Sequence, residues 1–251
     1  MSLSLVGLSK TYTGDSGADR TEVLQHIDCH IEDGQFVSII GKSGCGKTTL
    51  LRIIAGLEKA SDGQVLLNGE NLIDRKGKIG LVFQEYALFS WRTARKNIEF
   101  PLEIRGVDKA ERKRTAMAYL EKFGLKGAEN KYPGALSGGM RQRVAIARTL
   151  IGEPAVVLMD EPFGSLDSQT RNHLQEFLLK IWLERKEIIV FVTHNVDEAV
   201  FLSDRIIALS KRPSSIARIF DVPCPRPRDR TSPACNRIRK EVLRFLAKAP
   251  G

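Results

Sequence analysis

The chain has 251 residues, 42% hydrophobic and 27% charged, which is an ordinary composition for a globular protein with a substantial core. No apolar run approaches the roughly 18 residues of a membrane-spanning helix, and the first residues lack the basic-then-apolar pattern of a signal peptide, so we expect a cytoplasmic protein. The net charge is +9, and residues 205–251, with 12 Lys/Arg and 3 Asp/Glu, carry an excess of the same size. A basic tail suits a solvated face or an anionic membrane surface as well as nucleic acid, and we expect no nucleic-acid partner.

Two strand-like segments, residues 3–12 and 63–69, predict an antiparallel flank at the N-terminus. Between them, residues 26–30 read HIDCH, and two histidines with a cysteine are residue types that bind metals. The alternation of polar and apolar residues there favours a strand with both histidines and the aspartate on one face over a metal site. The four cysteines show no CxxC spacing, which agrees with a reducing compartment.

A short buried strand over residues 34–40 leads directly into a glycine loop and a helix over residues 47–57. The loop and the start of the helix match the P-loop pattern GxxxxGK[ST] between a strand and a helix. In that pattern the backbone amides surround nucleotide phosphates, the lysine bridges their oxygens and the threonine hydroxyl can ligate Mg²⁺. The predicted phosphate site comprises Gly41, Ser43, Gly44, Cys45, Gly46, Lys47, Thr48 and Thr49.

The next strand signal, residues 79–84, ends on Gln84, whose amide we expect at the rim of the sheet, where it would sense Mg²⁺ or the attacking water. From about residue 87 to residue 150 the β-branched runs vanish and apolar residues follow helical spacing, which predicts a helical insert. Its last segment, LSGGMRQRVAIARTL, places Ser137, Gly138 and Gly139 at the start of a basic helix. Because glycines allow close backbone approach and a helix start offers free N–H groups, this segment predicts a second phosphate cradle.

Two further strands, residues 155–160 and 187–193, end next to polar residues. Asp160 lies at the carboxyl end of the first, where open α/β sheets bind ligands, and is a candidate to hold Mg²⁺. Glu161 follows it and is placed to polarise an attacking water. His194 follows the second strand and is a candidate to contact a γ-phosphate or to orient that water.

The chain after Ser210 is rich in proline and arginine, which predicts a surface extension rather than core, closed by an amphipathic helix over residues 236–247. The alternation of strands and helices before it predicts an α/β fold: a P-loop NTPase core with an antiparallel β flank and an inserted α-helical subdomain. We assign residues 1–210 to the ATPase domain, with its helical subdomain at about residues 87–150, and residues 211–251 to a basic C-terminal extension.

In order and spacing, the motifs of this chain resemble those of the ATP-binding subunit of ABC transporters. They are the P-loop, Gln84, the stretch LSGGMRQRVAIAR, the strand VVLMDEP, the tripeptide SLD and His194. The resemblance covers nearly the whole chain. It implies an ATP hydrolase that uses ATP and Mg²⁺ and a homodimer whose second copy closes its signature loop, Ser137 to Gly139, on the ATP of the first. It also assigns Tyr12 to stacking on adenine and Asp167, in SLD, to the loop that crosses the dimer interface.

The same resemblance implies partners in transport. These are an integral membrane permease, met by the segment after Gln84, and an extracytoplasmic solute-binding protein, reached indirectly. The subunit would then be peripheral, at the cytoplasmic face of the inner (plasma) membrane. That segment carries the apolar residues Leu88, Phe89 and Trp91, for which packing inside the helical insert is the alternative to meeting the permease.

The segments VFQEYALFSW and PLEIRGV and the tail KRPSSIARIFDVPCPRPRDR are similar to those of importers of nitrate, sulfonates and taurine, and they leave the solute open. A chromosome-maintenance ATPase needs a long coiled coil between P-loop and signature, whereas about 90 residues without sustained heptads separate Gly46 from Ser137. A ribosome-bound factor would carry two such cassettes, and a degenerate regulatory module would lack Glu161 and His194. A soluble accessory ATPase, such as one for iron–sulfur assembly, is the remaining alternative.

Overall fold

The computed structural model describes residues 1–14, 19–72 and 78–248, and the chain divides into two compact units, Met1–Lys76 with Arg185–Gly251 and Gly77–Glu184. The strands are β1 Ser2–Thr13, β2 Arg20–Glu32, β3 Phe36–Ile40, β4 Asp62–Leu67, β5 Glu70–Asn71, β6 Ile79–Val82, β7 Val156–Asp160, β8 Ile188–Val192, β9 Arg205–Leu209 and β10 Ile216–Asp221. The helices are α1 Lys47–Ile54, α2 Ala94–Ile104, α3 Lys109–Lys122, α4 Gly138–Leu150, α5 Ser168–Arg185, α6 Val196–Leu202 and α7 Pro233–Lys248.

The first unit contains the antiparallel flank, a sheet with strand order β2-β1-β4-β5. In β2 the residues at 27, 29 and 31 are buried while His26, Asp28 and His30 are exposed, which confirms the predicted strand face. Each histidine there has a local partner: His26 Nε2 lies 2.9 Å from an Asp28 oxygen, and His30 Nδ1 lies 2.8 Å from the Ser4 hydroxyl. Among the described residues, no group of three or more His, Cys, Asp or Glu side chains could hold a metal ion.

The same unit holds a second set of strands in the order β10-β9-β3-β8. Strand β3 pairs in parallel with β8 and β9, and β10 pairs antiparallel with β9. All five residues of β3 and of β8 are buried, as expected for parallel strands covered on both faces. The sequence predicts β3 and β8. It gives no clear signal for β9 and β10, because their short apolar runs lie at the edge of the proline-rich tail.

The predicted surface extension after Ser210 is wrong as a description of packing. Strand β10 belongs to the sheet, and Phe220, Val222 and Cys224 join a buried cluster with residues of α6 and α7. The predicted final helix is confirmed as α7, and its Val242 is fully buried in that cluster. The apolar residues of the tail are few and widely spaced, so their shared burial depends on how the chain folds back and is not visible as a local pattern.

Arg228 holds the tail in place. It is buried, and its guanidinium donates to the carbonyls of Val200, Phe201 and Ser203 at the end of α6, at 2.8, 3.1 and 2.7 Å. Burial lowers the pKa of Arg228 to about 10, which still leaves the group charged at neutral pH. A cation at the carboxyl end of a helix satisfies its unpaired carbonyls and opposes its dipole. The arginine-rich tail motif therefore has a packing role in this unit.

The second unit pairs β6 with β7 in parallel and carries helices α2 to α5. Helices α2, α3 and α4 lie within the predicted helical insert and confirm its helical character. Asp108 caps helix α3: its side chain accepts from the amides of Ala110 and Glu111, and these bonds lower the pKa of Asp108. Helix α5 is not predicted from the sequence. Over the described part of the chain, no helix has the length and apolar character to span a bilayer.

Candidate nucleotide site

The P-loop lies in the first unit, between β3 and α1. Gly46 precedes the helix with φ of 103°, a left-handed conformation that glycine adopts without strain, and a Cβ there would lie 2.9 Å from side-chain atoms of Val23 and Leu24. The crest of the loop, residues 42–44, is exposed. This arrangement leaves backbone amides and the start of α1 open to an anion, as the motif requires.

Lys47, the first residue of α1, is buried, and its ammonium group lies back across the loop. Its Nζ donates to the carbonyls of Gly41 and Lys42 at 2.9 and 3.2 Å. Neither of these two carbonyls carries a negative charge, so phosphate oxygens are suitable further partners for this buried ammonium group. Thr48 and Thr49 follow on the same turn and are half-buried.

Ser214 supports the P-loop from the far end of the sequence, a contact that sequence reasoning missed. Its fully buried hydroxyl lies within hydrogen-bond distance of the Cys45 carbonyl, and its amide and carbonyl bond Val23 and Gln25 of β2. The segment that contains Ser214 is therefore joined both to the flank sheet and to the phosphate loop. A serine in a proline-rich tail gives no local signal of such a role.

The first unit also contains the other two predicted nucleotide contacts. Tyr12 is 40% exposed on β1, and Lys10 Nζ lies 4.6 Å from its ring centroid, so one ring face already meets a cation. His194 is exposed directly after β8. Its neighbours are fixed, because the Thr193 hydroxyl bonds Glu198 at 2.6 Å and Asn195 caps α6. The imidazole is thus presented by a rigid strand-to-helix connection.

The remaining predicted residues lie in the second unit. Asp160 ends β7 and is half-buried, and Glu161 follows with φ of 42°, a left-handed conformation that costs a non-glycine residue energy. Gln84, exposed after β6, and Glu161 both lie near Gly164: a Cβ on Gly164 would lie 3.8 Å from Gln84 Nε2 and 3.9 Å from Glu161 Oε2. The fold of this unit therefore brings the predicted base and the predicted sensor to one place.

The signature segment begins α4, and Ser137 is its cap, accepting from the Met140 amide at 3.3 Å. Ser137 is exposed and Gly138 and Gly139 are half-buried, so this helix start lies at the surface of the unit. A Cβ on Gly138 would lie 3.1 Å from Leu166, and one on Gly139 would lie 2.9 Å from Thr170. Side chains larger than glycine are disfavoured at both positions because Leu166, in the connection from β7 to α5, and Thr170, in the first turn of α5, lie close to the start of α4.

Asp167, in that connection, caps α5. Its carboxylate accepts from the amides of Gln169 and Thr170 at 3.1 and 3.0 Å, and the bonds from Thr170 hold the pKa of Asp167 below its ordinary value. The residue is exposed, so its outer face is open to a partner. The family resemblance implies an interface role for Asp167, and its capping of α5 is a further role that the sequence does not reveal.

The loop after Gln84 is built on the buried side chain of Asn97. The Asn97 amide oxygen accepts from the Phe89 amide at 2.9 Å, and its nitrogen lies 3.0–3.1 Å from three carbonyls of residues 89–93. Phe89 packs edge-on against Phe100 with ring centroids 4.6 Å apart, whereas Trp91 is 71% exposed. The sequence leaves two interpretations for these apolar residues, packing inside the helical insert or contact with a permease. Phe89 packs inside the insert, whereas Trp91 lies on the surface.

The donor set fits the predicted cofactors. Thr48, Gln84 and Asp160 offer hydroxyl, amide and carboxylate oxygens, which are the ligands that Mg²⁺ prefers. They belong to different units, Thr48 to the first and the other two to the second. The P-loop with its open Gly44, where a Cβ would meet nothing within 4 Å, fits a bulky phosphate chain.

Comparison with known proteins agrees with these features. A family model described as ABC transporter matches residues 24–164. The chain is 44% identical over 243 residues to an aliphatic sulfonates import ATP-binding protein of Bacillus cereus, covering 97% of this chain and 95% of that protein. It is 42% identical over 241 residues to a nitrate import ATP-binding protein of Synechocystis, covering 96% and 90%.

A solved structure is similar over most of the chain. It is a dimeric ATP-binding cassette in a post-hydrolysis state, bound to ADP and Pi, with a TM-score of 0.78 and 35% identity. The similarity covers 88% of this chain and 98% of that one. This likeness confirms the predicted fold class, a P-loop NTPase core with a β flank and a helical subdomain.

Proposed function

Because the chain belongs to the ABC transporter family and is an ATP hydrolase of the importer type, we propose that it drives uptake of a small anionic solute. Nitrate, an alkanesulfonate or taurine is the proposed class, since relatives of nearly equal length carry import of nitrate or sulfonates in their names. The observation that carries the proposal is the presence of both phosphate-binding helix starts, the P-loop before α1 and the signature glycines before α4, on one chain.

The nucleotide chemistry follows from residues already described. The P-loop holds the phosphates of ATP, Lys47 supplies the charge, and Tyr12 stacks on adenine. Thr48, Asp160 and Gln84 would hold Mg²⁺, which when bound neutralises charge on the phosphate oxygens. Glu161 polarises the attacking water, and His194 orients that water or contacts the γ-phosphate. The left-handed conformation of Glu161 supports this role, because strained backbone is kept where it aims a side chain.

The second cradle is proposed to serve another copy of the chain. Ser137, Gly138 and Gly139 of one copy close on ATP held by the P-loop of the other, and Asp167 lies at the interface between them. The exposure of Ser137 and Asp167 supports this arrangement, as does the dimeric state of the similar ADP-bound cassette. ATP then joins the two copies, and hydrolysis releases them. An exposed helix start gains much more from a phosphate in a water-excluded interface than in solvent.

The permease is proposed to meet the loop after Gln84. Trp91 supports this, because a large aromatic side chain that is 71% exposed is costly to leave in water and is typical of interface anchors. The helical subdomain, about residues 87–150, thus carries both the permease contact and the signature. The subunit is placed at the cytoplasmic face of the inner (plasma) membrane as a peripheral protein, and the solute-binding protein is reached only through the permease.

The test is a tagged pull-down from detergent-solubilised membranes of the native host, with mass spectrometry of the co-purifying proteins. We expect a multi-spanning permease in stoichiometric amount, and the Trp91→Ala variant serves as the control for capture through this loop. Recovery of soluble partners alone would overturn the transport proposal and favour an accessory ATPase. Uptake of labelled nitrate, alkanesulfonate and taurine by the reconstituted complex would then identify the solute.

A further inference from the structure

A basic groove lies on the first unit, where strand β10 faces helix α7. Its volume is about 450 Å³, and its lining comprises five cationic side chains, one carboxylate and one phenylalanine ring. Four of the cations, Arg237, Lys240, Arg244 and Lys248, come from α7, and the fifth, Arg218, comes from β10. The groove plays no part in the nucleotide chemistry described above.

The charges on α7 form one stripe. The spacings of three, four and four residues place its four cations on the same helix face, while Cys235 and Val242 are buried on the other. Like charges at these spacings repel each other. Among the described residues, none of the four has a carboxylate within ion-pair distance, and the single carboxylate of the groove, Glu241, pairs with Arg218 instead.

Two arginines of the tail that lie outside the groove pair with carboxylates. Arg226, which precedes α7, pairs with Asp204. Arg239 lies on α7, like the four cations of the groove, and pairs with Asp197 at 2.5 Å. Within α7, Arg239 lies outside the groove and its charge is neutralised by Asp197. The four α7 cations that line the groove have no such carboxylate among the described residues. The four cations of α7 that line the groove therefore keep their positive charge uncompensated by an ion pair among the described residues.

Arg218 is held rigidly on the opposite wall. Its guanidinium lies 4.6 Å from the Phe220 ring centroid and 5.9 Å from that of Phe245, and it bonds Glu241. Stacking and an ion pair together fix the orientation of its planar fork, which reduces the entropy lost when it binds an anion. The groove thus presents a guanidinium oriented by two rings and a carboxylate opposite the four cations of α7.

We propose that this groove binds two or more phosphate groups at once. Guanidinium and ammonium donors converging on one concave site are suited to phosphate oxygens. The stripe from Arg237 to Lys248 extends about 16 Å at 1.5 Å per residue, which is longer than one phosphate group and matches a chain of them. The phosphates come either from a soluble compound or from lipid headgroups, and the two are separated below.

The first measurement is calorimetric titration with inorganic tripolyphosphate. The full chain carries Lys47→Ala, so that the P-loop contributes little binding. The groove variant adds Lys240→Gln, Arg244→Gln and Lys248→Gln. The control instead adds Lys109→Gln, Lys113→Gln and Arg114→Gln on α3, where the same charges are removed from an exposed surface of the other unit.

We expect one tripolyphosphate per chain, bound at least roughly tenfold more weakly by the groove variant and unchanged in the control. Affinity should fall steeply with added salt. Circular dichroism checks folding, and a single Lys240→Gln variant gives a partial loss should the triple variant unfold. The proposal fails for tripolyphosphate if the groove and control variants lose equal affinity for it, or if the chain with Lys47→Ala alone does not bind it. The proposal as a whole is then overturned unless the vesicle measurement supports it.

Co-sedimentation with vesicles containing phosphatidylglycerol distinguishes the two sources. Binding of tripolyphosphate without vesicle binding assigns the groove to a soluble phosphate compound. Vesicle binding that the groove variant loses and the control keeps assigns it to lipid headgroups. If neither tripolyphosphate nor vesicles bind in the groove, the site is rejected. None of these outcomes bears on the transport proposal, which depends on the P-loop and the signature segment.

Discussion

The hydroxyl groups of Tyr86 and Ser165 lie 2.8 Å apart and join the loop after Gln84 to the connection that carries Asp167. Tyr86 and Ala87 are consecutive left-handed residues, with φ of 61° and 45°, and Arg148 of α4 holds both of their carbonyls at 3.2 and 2.8 Å. Each such conformation costs on the order of 1 kcal/mol, so these contacts keep the loop in its shape. The hydroxyl of Tyr86 also lies 3.3 Å from where a Cβ on Gly138 would be.

We expect Tyr86→Phe and Ser165→Ala to lower ATPase activity by similar amounts, with little further loss when they are combined. Both variants remove the same hydrogen bond, so a double-mutant cycle should give a coupling energy of about 0.5–1.5 kcal/mol. The measurement is ATP turnover together with the free energy of unfolding. Tyr119→Phe removes a different hydroxyl, which bonds the Leu150 carbonyl, and serves as the control. Additive effects at the two sites would show that the bond is irrelevant to turnover.

Glu161→Gln should keep ATP binding and slow hydrolysis by about 10²–10⁴-fold, since an amide cannot act as the base. The variant should also accumulate as an ATP-bound dimer, because release follows hydrolysis. Steady-state phosphate release and size-exclusion chromatography with ATP test both expectations. Glu176→Gln changes the same group on the exposed face of α5 and should behave like the parent. Turnover at the parent rate in Glu161→Gln would remove this residue from the chemistry.

Mixing two inactive chains tests whether the phosphate sites are shared between copies. A Lys47→Ala chain keeps its signature, and a Ser137→Arg chain keeps its P-loop, so one composite site of the mixed dimer combines both intact halves. We expect ATPase activity well above that of either chain alone. Each variant mixed with itself is the control. If mixing restores nothing while both variants still bind one another, closure between copies is ruled out.

Trp91→Ala should leave the ATPase activity of the isolated chain unchanged and weaken capture of the permease. Truncating a central aromatic anchor commonly costs about 2 kcal/mol or more, which corresponds to roughly 30-fold in affinity. Ile104→Ala is a matched control, because Ile104 is 70% exposed against 71% for Trp91 and lies in the same unit. Equal recovery of the permease with both variants would place its contact elsewhere.

Gln142 gives a prediction about stability. Its side chain is fully buried in α4, and within the described residues neither of its amide atoms has a hydrogen-bond partner. Because an unpaired buried polar group costs about 1–3 kcal/mol, Gln142→Met should raise the free energy of unfolding by an amount in that range. Denaturant unfolding measures it, with the exposed Gln169→Met as control. A loss of stability would mean that the amide is satisfied in solution.

The chemistry could be predicted from the sequence because its residues lie in short contiguous motifs. The P-loop combines its glycines, Lys47 and Thr48 within residues 41–49, and the strand before Asp160 and the helix start after Ser137 are equally local. Backbone conformation over a few residues determines what such motifs bind, so the pattern is sufficient. The strands β3, β7 and β8 were predicted for a related reason, since uninterrupted apolar runs indicate buried parallel strands.

Contacts between distant residues were decided only by the tertiary structure. Ser214 is 169 residues from Cys45, and Tyr86 is 79 residues from Ser165, so nothing local marks either pair. The tail looks like a polar extension in sequence because its apolar residues are sparse, yet Phe220 and Val242 are buried once β10 pairs with β9. Burial and side-chain pairing depend on which segments the fold brings together. The sequence by itself therefore determined the reaction, and the tertiary structure determined how its residues are supported and where uncompensated charge is left.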